Sequence, residues 1–245
     1  HDTKTYKSNF TRHNFKMLNN SLSLKIIVFG FIFTFFSAFG QSFFIGVFNS
    51  SIRTDLSITH GQFGTIYALA TLLSSFTLIW VGKKIDDFKL ITFSLFVIIL
   101  LFFSSIFFSF VDGIYLLFVG IFLLRLSGQG LMSHTATTSI SRYFDKSRGK
   151  ALSATWLGLS GAEFIMPVTI VFFLSIYSWR SIWLAISLVI ILFLPIISFL
   201  TIKNVTLTSR EEEKVNLKEN NIKSWTRKDV LYDPKFYLIS LVMLA

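Results

Sequence analysis

Long apolar runs separated by short polar clusters make up most of the chain from residue 26 onward. A helix that crosses a bilayer needs about 20 mostly apolar residues. Six runs reach that length, at 26–49, 62–81, 90–110, 114–138, 151–174 and 181–202, and a seventh starts near Phe236. The connectors 50–61, 82–89, 111–113, 139–150 and 175–180 are too short for anything but antiparallel neighbours packed as a bundle. The pattern predicts an N-terminal tail over 1–25, a six-helix domain over 26–202, a polar loop over 203–235 and the start of a truncated second domain over 236–245. Both ends read as cut, because the first residue is His1 rather than Met and the last run stops in mid-helix. Ala38-Phe39-Gly40 lies inside a run that continues past it, so no cleavable signal fits the start.

Composition agrees with a bilayer as solvent. Apolar residues make up 53% of 245 and the mean hydropathy is +0.65, more apolar surface than a single soluble core of this size buries. The absence of Cys removes disulfide frameworks and cysteine-ligated metals. Phe102-Phe103 and Phe107-Phe108 read as lipid-facing surface and helix packing. A net charge of +10 would suggest nucleic acid in a soluble protein, but here the basic residues sit between apolar runs, which excludes that partner.

The basic residues are strongly sided. All 23 Lys and Arg except Arg53, Arg125 and Arg180 fall in the tail, the second and fourth connectors and the long loop. By the bias of basic residues toward the cytoplasm, the N-terminus and the 203–235 loop are expected there. The plasma (cell inner) membrane is the expected location. The loop, with Glu211, Glu212 and Glu213 between Arg210 and Lys214, reads as a solvated linker with one surface helix.

A shift of 88 residues superimposes Gly40-Gln41 on Gly128-Gln129 and Gly61 on Gly149. Three helices per copy place the copies in inverted topology, an arrangement that builds two gates around one midplane site. The fold class expected is therefore an all-α membrane bundle of two inverted three-helix repeats.

Gly82-Lys83-Lys84-Ile85-Asp86 resembles the first part of the loop signature G-x-x-x-D-[RK]-x-G of the major facilitator superfamily. Asp87 stands where that family prefers a base and Lys89 where it prefers Gly. Arg125-Leu126-Ser127-Gly128-Gln129-Gly130 resembles its Arg-plus-glycines segment, Tyr143-Phe144 with Arg148-Gly149-Lys150-Ala151 its start of span five, and Ser178-Trp179-Arg180 its start of span six. The resemblance implies the N-terminal six-helix domain of a twelve-helix secondary transporter, completed by a missing C-terminal six-helix domain. It also implies that Gly82 and Asp86, with a base such as Arg142 or Arg148, form a conformational gate at the inner face.

An ionisable side chain in a span costs roughly 2.5–3.5 kcal/mol on insertion scales and so suggests function. Arg125 and Glu163 lie at nearly the same depth near the midplane, where they are expected either to neutralise each other or to act in transport. Arg125 offers a fork of donors to a carboxylate, and Glu163 is the proton-coupling candidate, with Arg125 as its partner. Gln41 and Gln129 are candidates for binding substrate or bridging helices. His134 reads as a satisfied histidine at a helix interface. Gly128, Gly130, Gly158 and Gly161 would let helices approach closely, and Pro167 would let span five bend.

No phosphate-binding loop, H-E-x-x-H or G-x-S-x-G element occurs, so an ion gradient, most simply of protons, is the expected energy source, without cofactor or metal. The expected function is secondary transport of a small solute, tilted by Arg125 toward an organic anion such as a monocarboxylate. The competing readings are a non-transporting receptor or scaffold on the same fold and, with only Asp86-Asp87 to offer, a membrane enzyme.

Overall fold

The computed structural model describes residues 21–144, 147–203, 205 and 232–237. The chain divides into two compact units, His1–Leu207 and Thr208–Ala245. Every regular element among the described residues is helical.

Among the described residues, six helices are long and apolar enough to span a bilayer: α1 Ser21–Val47, α2 His60–Asp86, α3 Leu90–Ser109, α4 Ile114–Tyr143, α5 Arg148–Leu174 and α6 Trp179–Ile202. The chain is an integral membrane protein. The helices overrun the apolar runs, chiefly at the ends rich in Lys and Arg, because helical hydrogen bonding does not stop where hydrocarbon stops. Local capping fixes several starts. Thr59 accepts from the Gln62 backbone N–H at 3.2 Å while the Gln62 side chain accepts from the Thr59 N–H at 2.8 Å, a capping box that opens α2. Ser178 accepts from the Ser181 N–H at 3.2 Å and opens α6 two residues before the apolar run.

The connector 50–61 is more ordered than its polarity suggests. Asn49–Leu56 forms a helix that ends at Ser57, whose φ of 53° turns the chain out of it.

Helix association in a membrane rests on van der Waals fit and small residues. α3 packs extensively against α6, and the largest fully buried ring, Trp183, meets Phe44, Phe48 and Phe108 at centroid distances of 5.6, 5.3 and 4.9 Å. Phe103, by contrast, is 60% exposed, so the Phe-rich stretch of α3 serves both lipid and core. α2 and α5 are the least packed spans, with 17% and 22% of their central windows buried, against 56% in α4.

In the second unit, residues 234–237 form a helical turn behind Asp233, whose side chain accepts from the Lys235 N–H at 2.9 Å. Phe236, where the seventh apolar run starts, thus lies in a helical turn. Its continuation, the expected surface helix and the glutamate cluster of the loop, and the N-terminal tail before residue 21 lie outside the described residues.

Candidate functional site

Helical geometry breaks in α1 and in α4 at the two copies of the Gly-Gln dipeptide. In α1, Ala38–Gly40 tightens to a 3₁₀ turn, Gln41 is extended (φ −81°, ψ 154°), and the helix restarts at Ser42. In α4, Arg125–Met132 widens to a π-helix. π-Segments are rare and recur at functional sites, because the extra residue per turn redirects side chains and loosens the hydrogen-bond ladder.

Backbone proximity explains why both copies carry glycine. A Cβ on Gly40 would lie 2.3 Å from the Leu124 carbonyl oxygen, 2.4 Å from the Gln129 nitrogen and 2.9 Å from Gly128 Cα. A Cβ on Gly128 would lie 2.6 Å from the Gly40 nitrogen. The two repeats therefore meet backbone to backbone at their matching glycines.

Arg125 opens the π-segment from this crossing. Its side chain is buried, at 8% exposure, and Nη1 donates to the Gly40 carbonyl at 3.1 Å. The Tyr67 ring from α2 covers the guanidinium, its centroid 5.3 Å from Cζ. Nε is enclosed with no acceptor, and Nη2 has none among the described residues. The Tyr67 hydroxyl lies beside Arg125 and Ser42 yet completes a hydrogen bond with neither. One carbonyl and one aromatic face leave most of the burial cost of a cation uncompensated, since a cation–π contact contributes about 0.5–2 kcal/mol and burying an ion costs several. The unpaired edge, Nε with Nη2, carries two parallel N–H vectors, the fork that suits a planar oxyanion in bidentate fashion. Gln41 and Gln129 are half-buried, and their side-chain amides make no hydrogen bond to the described residues.

The expected ion pair between Arg125 and Glu163 is not formed. Arg125 turns toward α1 and α2, whereas α5 meets α1 along Ala151, Thr155, Gly158 and Ala162. Glu163 follows Ala162 and points about 100° away from that stripe, exposed and without an ion partner among the described residues. Equal depth placed the two residues at one level but said nothing of facing.

Gly158 is a tight contact, where a Cβ would come 2.1 Å from the Phe31 carbonyl oxygen, and Thr34 Oγ1 donates to the Thr155 carbonyl at 2.6 Å beside it. Gly130 leaves 3.3 Å to Leu78. At Gly161 no atom of the described residues lies within 4 Å of the Cβ it lacks, so it makes no close helix contact there. α5 runs unbroken through Pro167.

At the basic end of the bundle, Arg142 of α4 forms an ion pair with Asp86 of α2, their side chains 16% and 18% exposed. Arg148 donates from Nε to the Phe144 carbonyl at 3.3 Å. His134 Nε2 donates to the Gly82 carbonyl at 3.0 Å, so it is a satisfied interface histidine, and its ring sits 3.3 Å from where a Gly82 Cβ would be.

Two features escaped the sequence reading. Tyr67 is polar only at its tip and counted as apolar, although it is a mid-run tyrosine. At the opposite end, Arg180 pairs with Asp55 and also donates to the Val111 carbonyl at 2.6 Å, while Trp179 Nε1 donates to Asp55 at 3.2 Å. The Arg180 hydrogen bond is the main reason that Asp55 sits below the ordinary carboxyl range, against a weaker opposing effect of desolvation.

Among curated proteins, none matches the chain significantly. Among solved structures, it is similar to a bacterial homologue of the human lysosomal transporter Spinster, determined in an inward-facing and unoccupied conformation. That likeness has a TM-score of 0.55 at 16% identity and covers 84% of this chain but 49% of the other, so the chain spans about half the length of that protein. The family model of the Major Facilitator Superfamily matches residues 30–245. With six spanning helices in two inverted repeats and a match over nearly its whole length, the chain belongs to the Major Facilitator Superfamily.

Proposed function

We propose that this chain is the N-terminal half of a secondary active transporter that carries a small organic anion, such as a monocarboxylate, by proton-coupled alternating access. The observation that carries the reading is Arg125: a buried cation at the crossing of the two repeats whose Nε–Nη2 edge has no acceptor among the described residues. Gln41 and Gln129, flanking the same crossing with unengaged amides, are proposed to hold the polar remainder of the solute.

Glu163 is the proposed proton carrier. It lies near mid-span on the weakly packed α5, with no ion partner among the described residues. The sparse packing of α2 and α5 supports a further six-helix domain as the opposite wall of the cavity. The Asp86–Arg142 pair, with Gly82 under His134 and Arg148 nearby, is proposed as the gate at the cytoplasmic face of the plasma membrane.

Uptake of labelled organic anions into vesicles carrying the complete transporter, with and without a proton gradient, tests this. Wild type should accumulate a carboxylate only with the gradient, Arg125→Ala should not bind it, and Glu163→Gln should exchange it without accumulating it. Normal, pH-dependent uptake by either variant would refute the corresponding role.

A further inference from the structure

Tyr67 and Arg125 come from different helices, and each carries an enclosed polar atom with no partner: the phenol oxygen and Nε. An orphaned buried donor costs about 1–3 kcal/mol, and more when charged, so two of them side by side call for one common explanation. The Gly40 carbonyl accepts from Nη1, and the guanidinium carbon lies over the Tyr67 ring, 5.3 Å from its centroid. A ligand therefore meets the guanidinium edge-on, with the phenol O–H at hand beside it.

We infer that the Tyr67 hydroxyl is a further donor to the transported anion and, with the Nε–Nη2 edge of Arg125, selects a carboxylate monoanion. This rests on the anion-binding role proposed for Arg125. A carboxylate has two coplanar oxygens for the two parallel N–H groups, and its remaining lone pairs can accept from the phenol. Charge decides between anions. Arg125 has no ion partner among the described residues, so one negative charge is matched, whereas a dianion would leave an unpaired charge in a dry site. A tyrosine is neutral up to a pH of about 10 and adds a hydrogen bond without adding a second positive charge.

The test uses the purified complete transporter and four probes, acetate, butyrate and their amides, with binding read from the concentration dependence of the ligand-induced rise in Tm. Wild type should be stabilised by the acids and not by the amides. Tyr67→Phe keeps the ring over Arg125 and removes only the hydroxyl. It should leave the ligand-free Tm unlowered, or raised by the loss of an unpartnered buried hydroxyl, and weaken carboxylate binding about tenfold or more, as expected for losing a hydrogen bond to a charged acceptor. Arg125→Ala should abolish the binding.

Unchanged carboxylate affinity in Tyr67→Phe, with binding lost in Arg125→Ala, would overturn the role of Tyr67 and leave the anion site standing. Carboxylate binding by Arg125→Ala, or none by wild type, would overturn both. Should Tyr67→Phe fail to fold, 3,5-difluorotyrosine at position 67 keeps the hydroxyl and lowers its pKa. Carboxylate affinity should then fall as pH rises through the titration of that phenol, and a flat profile would overturn the inference.

Discussion

Gly40→Ala is the smallest change that separates the two repeats, and its cost can be worked from the backbone. The added methyl would sit 2.3 Å from the Leu124 carbonyl oxygen and 2.4 Å from the Gln129 nitrogen, where ordinary contact begins near 3.4 Å. The intruded atoms are main chain and cannot rotate away, so α1 and α4 must part by about 1 Å. Overpacking of this kind costs about 1–3 kcal/mol, and backbone contacts put it at the upper end. The same displacement stretches the 3.1 Å bond from Arg125 Nη1 to the Gly40 carbonyl past useful length, which adds about 1.5–3 kcal/mol because the donor is charged and buried. The expected loss is thus about 3–5 kcal/mol. Gly161→Ala is the matched control: its new methyl meets nothing within 4 Å, and the gain in helix propensity makes it neutral to about 1 kcal/mol more stable. Unfolding of the detergent-solubilised protein, followed by tryptophan fluorescence against added denaturing detergent, gives both numbers. If Gly40→Ala unfolds with the wild type, or Gly161→Ala unfolds as early as Gly40→Ala, the close crossing of the repeats is not what the glycines provide.

Three further outcomes follow from the charged groups. Arg125→Met removes a poorly compensated buried cation and should stabilise the protein by about 1–3 kcal/mol while abolishing anion binding; a large fall in stability would mean that the guanidinium is already well satisfied. Because Asp55 is held below its ordinary pKa, chiefly by Arg180, its contribution is fully present above a pH of about 4 and is lost as pH falls through the depressed value. Asp55→Asn should therefore flatten the acid limb of the stability–pH curve and leave the neutral region parallel to wild type; an unchanged acid limb would refute the pair. Reversing the Asp86–Arg142 pair, with Asp86→Arg combined with Arg142→Asp, should restore transport that either single change cuts, and a double variant as inactive as the singles would show that the pair is not an interchangeable charge contact.

Much of the fold was legible because a bilayer imposes a simple demand: each apolar run had to become a spanning helix. The site was legible only in part. Charge in an apolar run is conspicuous, so Arg125 stood out, but depth along a helix carries no information about azimuth. That is why Arg125 and Glu163 share a level and still do not meet. Gly128 and Gly161 look equally small in sequence, yet only one faces another backbone. The π-segment left no local signature that separates it from an α-helix with glycines, since what selects it is the neighbour pressed against it.

The repeat explains why one site arises from two similar halves. Eighty-eight residues before Arg125 stands Ser37, and eighty-eight after Tyr67 stands Thr155. The positions keep their neighbours in inverted form: Tyr67 of α2 leans on α4 at Arg125, and Thr155 of α5 leans on α1, where its carbonyl accepts from Thr34 and its side chain abuts Gly30. In the α5–α1 copy both partners are small and neutral, so the helices close to a contact in which the Gly158 Cβ position is 2.1 Å from the Phe31 carbonyl oxygen. In the α2–α4 copy both are large and carry polar tips, so the same crossing is held by an aromatic ring over a guanidinium and keeps donors unengaged. One copy of the crossing is thus closely packed, and the other leaves polar atoms unengaged. Moving the Tyr/Arg pair onto positions 155 and 37 would put a larger side chain where Thr155 already abuts Gly30, one turn from the backbone contact at Gly158.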